Sequence, residues 1–136
     1  MTPAGAAVER AVEWFVAVTA VAVGLSHLLR PADWAETFRR LHAAGRPGAF
    51  ANGGLSLAVG AAVGAGHPTW EWPGGVITVF GWLLVAKGAL YLLRPELGLR
   101  SMGRGADSPR GFVAGGAARL ALGAAAGYCL WHGRAS

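Results

Sequence analysis

Four long apolar stretches alternate with short polar stretches along this chain of 136 residues. The apolar stretches cover about residues 11–29, 49–66, 75–93 and 111–131. A helix rises 1.5 Å per residue, so about 20 apolar residues cross the roughly 30 Å hydrocarbon core of a bilayer. The pattern predicts an all-α, polytopic membrane four-helix bundle that forms one transmembrane domain over residues 1–136.

The polar stretches between these spans differ in kind. Residues 32–44 carry three large apolar side chains at the spacing i, i+4, i+7, namely Trp34, Phe38 and Leu41. Side chains at this spacing share one face of a helix, so the segment is predicted to be a short amphipathic helix lying in the membrane interface. Residues 67–74 contain two prolines and predict a tight hairpin, and residues 95–110 predict a loop.

The composition supports a membrane protein. The chain is 54% hydrophobic and only 14% charged, whereas soluble domains average about 25% charged residues. Its 22 glycines would each cost roughly 0.5–1 kcal/mol inside a soluble helix, but in a membrane they let helices approach closely. The single cysteine, Cys129, excludes an intramolecular disulfide.

The basic residues predict how the spans are oriented. The segments 30–46 and 94–110 hold eight of the twelve, namely Arg30, Arg39, Arg40, Arg46, Arg94, Arg100, Arg104 and Arg110. Lys and Arg concentrate on the cytoplasmic side of membranes, so both segments are predicted to be cytoplasmic. The protein is then integral to the cell (inner) membrane, with its N- and C-termini on the outer side. Four tryptophans then form an aromatic belt at the outer boundary, namely Trp14, Trp70, Trp72 and Trp131. Basic segments beside anionic membrane lipids account for the net charge of +5, so nucleic acid is not expected as a partner.

One sequence pattern occurs twice. Residues 21–31 and 85–95 are identical at seven of eleven aligned positions, and both end in Leu-Leu-Arg-Pro. The likeness extends into the following spans, where Pro47, Phe50, Gly53 and Gly54 align with Pro109, Phe112, Gly115 and Gly116. We therefore predict two parallel two-helix repeats, at about 11–66 and 75–131, related by a pseudo-two-fold axis along the membrane normal. The alternative is a chance likeness between apolar helices of low complexity.

The first repeat carries a recognisable pattern. A glycine, then Leu-x-Pro-x-x-Trp, a basic amphipathic segment and a Gly-Gly pair are provided by Gly24, Leu29, Pro31, Trp34, Gly53 and Gly54. The pattern resembles that of small YjeT-type two-helix proteins of bacterial inner membranes, over residues 21–66. The resemblance implies a two-helix membrane unit and no particular activity. The second repeat departs from it, with Gly98 in the place of the tryptophan.

Two cations fall inside the predicted spans. Lys87 and Arg119 each cost about 2.5–3.5 kcal/mol at mid-membrane, and no acidic residue lies at their depth. With the polar residues of neighbouring spans they form a candidate anion site or polar seam, made of Lys87, Arg119, Asn52, Tyr91 and His27. The alternative is structural, with both cations reaching to the membrane surface or bonding to backbone carbonyls.

Glycines spaced by four or eight residues predict helix-packing surfaces. They are Gly60 and Gly64 in the second span, and Gly111, Gly115, Gly123 and Gly127 in the fourth. This is more small surface than four helices need among themselves, so a homo-oligomer or a larger membrane complex is expected.

No catalytic or cofactor-binding constellation is evident. The four histidines do not have ligand spacing on one helix, so neither a metal site nor any other cofactor is expected. The leading hypothesis is a non-enzymatic membrane protein that acts by helix association, as a subunit or scaffold. The alternative is a small anion or polar-solute transporter or channel that uses Lys87 and Arg119, and a lipid-modifying enzyme is a third possibility.

Overall fold

The computed structural model describes residues 1–133 as six helices joined by short connections. They are α1 (Pro3–Leu29), α2 (Pro31–Ala43), α3 (Arg46–Gly66), α4 (Gly75–Leu93), α5 (Pro95–Ala106) and α6 (Pro109–His132). Helices α1, α3, α4 and α6 are each long and apolar enough to cross a membrane. The prediction of an all-α bundle of four membrane-spanning helices is confirmed.

Two Arg-Pro pairs end long helices and start short ones. Arg30 and Arg94 leave the helical backbone conformation, and Pro31 and Pro95 then open α2 and α5. Proline has no N–H to donate to the preceding turn, but it fits the first turn of a new helix. The Leu-Leu-Arg-Pro pattern therefore fixes where each apolar helix turns into an amphipathic one.

The long helices associate as two close pairs, α1 with α6 and α3 with α4, and contacts between the pairs are sparse. Glycines allow the close approach in both. A methyl group on Gly24 would lie 2.9 Å from the carbonyl oxygen of Gly116. A methyl group on Gly88 would lie 2.6 Å from the carbonyl oxygen of Gly53. Neither site has room for a larger residue, so backbone meets backbone at the centre of each pair.

Each close pair joins helices from different predicted repeats, because α1 and α3 belong to the first and α4 and α6 to the second. The glycines at the crossings also correspond, with Gly24 placed as Gly88 and Gly116 as Gly53. In sequence, Gly116 aligns with Gly54, so the packing register differs from the sequence alignment by one residue.

The prediction of a loop over residues 95–110 is wrong, since Pro95–Ala106 forms helix α5. Three glycines and three charged residues hid the pattern in this short segment. Its buried residues are Gly98, Met102 and Ala106, spaced by four along one helical face. That face packs against α2, α3 and α4, so tertiary contacts stabilise a helix whose own propensity is low.

Helix α2 is the amphipathic helix that the sequence predicted over residues 32–44. It packs against α5, α3 and α6. Ala35 and Phe38 of α2 cover the end of the bundle. Ala35 is buried, and the ring of Phe38 contacts that of Phe112 with 5.1 Å between ring centroids. Helices α2 and α5 therefore form a platform across this end, which we call the inner end, and the opposite end is the outer end.

Candidate functional site

Lys87 lies on α4 and reaches across to α3. Its Nζ donates to Oδ1 of Asn52 at 3.0 Å and lies 5.3 Å from the ring centroid of Tyr91. Ser56, one helical turn from Asn52, donates to the same Oδ1 at 3.4 Å. The structure thus brings three of the five candidate residues together, with Asn52 and Tyr91 both near the ammonium group of Lys87.

Arg119 lies on α6, in the other helix pair. Its Nη1 donates over 3.5 Å to the carbonyl oxygen of Gly115, one turn earlier in the same helix. Its Cβ lies beside Gly24 of α1. Within residues 1–133, neither Lys87 nor Arg119 contacts a carboxylate. The charge of each cation is therefore left without an opposite partner.

These polar residues form a layer between two apolar clusters, and we call Asn52, Ser56, Lys87 and Arg119 the polar layer. The cluster toward the outer end contains Val16, Ala20, Val63, Ile77, Leu122 and Ala126. The cluster toward the inner end contains Ala49, Tyr91 and Met102. The polar layer therefore lies between apolar packing toward the outer end and apolar packing toward the inner end.

His27 lies at the inner end, between α1 and the platform. Its ring stacks on Trp34 with 4.2 Å between centroids, and its Nδ1 lies 2.7 Å from the carbonyl oxygen of Val23. It is buried, and Ser26 beside it accepts a hydrogen bond from Trp34 Nε1 at 2.9 Å. At the corresponding place in the second half, Tyr91 packs on Gly98. The structure therefore places His27 in an aromatic contact and not on the amide oxygen that Lys87 shares.

The candidate packing glycines separate into two groups. Gly60 lies against the backbone of α4, Gly64 against the ring of Trp82, and Gly123 against Val21 of α1. Gly115 is close only to Arg119 of its own helix. The other two, Gly111 and Gly127, are exposed and have no neighbour where a side chain would begin. A four-residue spacing drifts around the helix, so its two ends leave the packed face.

A second polar cluster, which the sequence did not reveal, lies at the outer end. His67 is 1% exposed and places Nε2 at 3.4 Å from Oε1 of Glu13 and Nδ1 at 3.1 Å from Oγ1 of Thr78. Thr78 donates to backbone carbonyls of this region, and Thr69 donates to a carboxylate oxygen of Glu9. We call Glu9, Glu13, His67, Thr69 and Thr78 the outer network.

The outer network resembles a hydrolase triad only in composition. A nucleophilic hydroxyl must reach a substrate, whereas Thr78 is fully buried and committed to backbone carbonyls. Among residues 1–133, no group of three or more His, Cys, Asp or Glu side chains is placed to hold a metal ion. The network therefore joins α1, the α3–α4 connection and α4 by hydrogen bonds.

Two cavities open near the outer end. One of about 290 Å³ lies between Trp70, Trp72 and the start of α4, and one of about 230 Å³ lies beside Gly5, Glu9 and Pro68. Neither is lined by Lys87 or Arg119. Comparisons with protein-family models, with curated proteins and with solved structures found no match.

Proposed function

We propose that this membrane protein acts by helix association, as a small subunit or scaffold in a bacterial inner membrane. The observation that carries the proposal is the uncovered face of α6. Its exposed residues between Gly111 and Gly127 are almost all small, namely Gly111, Val113, Ala114, Ala117, Ala118, Ala121, Ala124 and Gly127. Small residues let another helix approach closely in lipid, where side-chain packing drives association.

Helices α1 and α4, the first span of each predicted repeat, expose a different surface. Exposed large side chains on α1 include Trp14, Phe15, Val18 and Leu25, and those on α4 include Val79, Trp82, Leu83 and Leu90. Such faces suit contact with lipid chains. The contrast favours α6 as the surface that receives a partner, and the first partner to test is a second copy of this chain.

A matched pair of substitutions tests this proposal. Ala121 on α6 and Ala86 on α4 are both exposed, so leucine at either position leaves the packing within one copy intact. Energy transfer between labelled copies is measured in bilayers over a range of protein-to-lipid ratios. We expect association of the unaltered chain, its loss in Ala121→Leu and its retention in Ala86→Leu. Equal, chance-level transfer in all three would contradict self-association.

The orientation proposed from the sequence, with the basic segments in the cytoplasm, has a structural counterpart. The arginines of 30–46 and 94–110 flank the platform of α2 and α5, while Trp70, Trp72 and Trp131 are exposed at the outer end. Exposed Ser108 reports the orientation when it is changed to cysteine in a Cys129→Ala background. Labelling from the cytoplasmic side alone is expected, and labelling from outside alone would reverse the orientation.

A second candidate function is supported by the two cations that lack carboxylate partners. Lys87 and Arg119 in a confined polar layer suit a small anion or polar solute that crosses between the helix pairs. Anion flux into liposomes tests this reading, with Arg110→Leu as the control for an exposed arginine. Flux that is lost in Lys87→Leu/Arg119→Leu and kept in the control would favour transport. Absence of flux in the unaltered chain would exclude it for the anions tried.

A further inference from the structure

The outer network determines where one proton of His67 lies. Thr78 Oγ1 is 2.6 Å from the carbonyl oxygen of His67 and 2.5 Å from that of Thr69. A hydroxyl has a single proton, and at these distances one of the two carbonyls receives it. Toward Nδ1 of His67, at 3.1 Å, the hydroxyl oxygen can then only accept. Nδ1 of His67 therefore carries a hydrogen.

The hydrogen on Nδ1 determines whether the other ring nitrogen, Nε2, donates or accepts. In a neutral imidazole that is protonated at Nδ1, Nε2 is an acceptor. Nε2 faces Oε1 of Glu13 at 3.4 Å, and an ionised carboxylate is also only an acceptor. Two acceptors cannot bond to each other. One further proton must therefore reside between Glu13 and His67, either on Nε2 or on the carboxyl group.

We propose that Glu13 and His67 form a proton-binding site that fastens the two helix pairs together at the outer end. Glu13 belongs to α1 of one pair, and His67 ends α3 of the other. Contacts between α1 and α3 are sparse, and the bond lies beside the apolar cluster that contains Val16 and Val63, where it adds a polar link between the two pairs. The site concerns the fold of a single copy and does not depend on association between copies.

Other charged or titratable groups surround the site. On α1, Glu9 accepts from Thr69, and Arg10 donates to the carbonyl oxygen of Gly133 at 3.1 Å. On α6, Cys129 packs against the apolar cluster toward the outer end, and exposed His132 stacks on Tyr128. The α3–α4 connection adds exposed Glu71, and Thr78 on α4 does not titrate.

The number of bound protons gives the sign of the pH dependence. With one proton the pair is a closed hydrogen bond, and a second proton at low pH leaves an imidazolium that still donates to the neutral acid. Loss of the last proton at high pH leaves two acceptors in contact. The stability that the pair contributes is therefore present at low and neutral pH and is lost as the pH rises.

Distance measurement between spin labels on the two helices tests the proposal. Ala11 on α1 and Ala62 on α3 are exposed, and each is changed to cysteine in a Cys129→Ala background of the full chain in bilayers. We expect one narrow distance distribution at about pH 5 and about pH 7, and a broader, longer one toward about pH 10. Nitrogen NMR of His67 over the same range should show Nδ1 protonated throughout.

Matched variants make the result specific. In Glu13→Gln the amide donates to unprotonated Nε2, so the distance should be narrow at every pH. Glu71→Gln alters an exposed carboxylate outside the network and should retain the pH dependence. A distance in the unaltered chain that does not change with pH overturns the proposal. An equal pH response in Glu13→Gln and the unaltered chain does so as well.

Discussion

The outer end of the bundle and the polar layer differ in how their polar groups are paired. At the outer end, Glu13, His67 and Thr78 are joined in a network that links α1, α3 and α4. In the polar layer, Lys87 shares one amide oxygen and Arg119 makes a single long bond to its own helix. Acidic groups are available at the outer end, whereas the polar layer has none within contact distance in the described part of the chain.

The two sites therefore differ in their effect on the stability of the protein. A buried network in which each donor meets an acceptor stabilises the arrangement it joins. A buried cation without a carboxylate costs free energy of insertion. The outer network therefore stabilises the fold, whereas the cations of the polar layer lower its stability.

The largest expected effect comes from Thr78→Val. The change keeps the shape of the side chain but leaves one backbone carbonyl and Nδ1 of His67 without their partner. Each buried unsatisfied group costs about 1–3 kcal/mol, so we expect a loss of about 3 kcal/mol in the free energy of unfolding. Thr19→Val is the control, because the hydroxyl of Thr19 bonds only to Phe15 of its own helix. Similar losses in both variants would show that the outer network adds no stability beyond that of a hydrogen bond within one helix.

A smaller effect is expected in the polar layer. The bond between Lys87 and Asn52 joins α4 to α3, and such bonds in membranes contribute about 0.6–2 kcal/mol. A double-mutant cycle with Lys87→Leu and Asn52→Leu should give a coupling free energy of about 1 kcal/mol. Unfolding in bilayers provides the four values. A coupling free energy near zero would mean that Lys87 does not form a stable bond with Asn52.

The smallest effect is expected on the platform, outside the membrane spans. Arg40 and Arg39 beside Glu36 lower the pKa of that carboxyl group. A lowered pKa in the folded state contributes stability above the ordinary pKa of glutamate, and the contribution disappears as the pH falls through the lowered value. Hydrogen-exchange protection of α2 should thus differ slightly between Glu36→Gln and the unaltered chain at about pH 7 and agree at about pH 3. A difference that persists in acid would contradict this assignment.

The sequence was sufficient for the long helices because twenty consecutive apolar residues have few alternatives in lipid. It was insufficient for α5, whose helix depends on packing of Gly98, Met102 and Ala106 against neighbouring helices. For the same reason the sequence did not show which helices α2 packs against, since an apolar helical face looks the same whether lipid or protein covers it.

The two polar sites differ in how far the sequence revealed them. Lys87 and Arg119 are conspicuous because charges inside apolar stretches are rare. The Glu13–His67 pair is not, because its residues lie near span ends, where polar groups are common, and are separated by 54 positions. Only the folded arrangement of α1 beside the α3–α4 connection brings them together. A sequence signal would have been the excess of carboxylates, Glu9 and Glu13, early in an apolar span.

The most direct test of the account is the association of Lys87→Leu/Arg119→Leu in bilayers, measured by energy transfer between labelled copies. If the chain acts by helix association through α6, the cations of the polar layer are dispensable for assembly. The double variant should then insert at least as well as the unaltered chain and associate at the same protein-to-lipid ratio. A folded double variant that no longer associates would contradict the account and place the function in the polar layer.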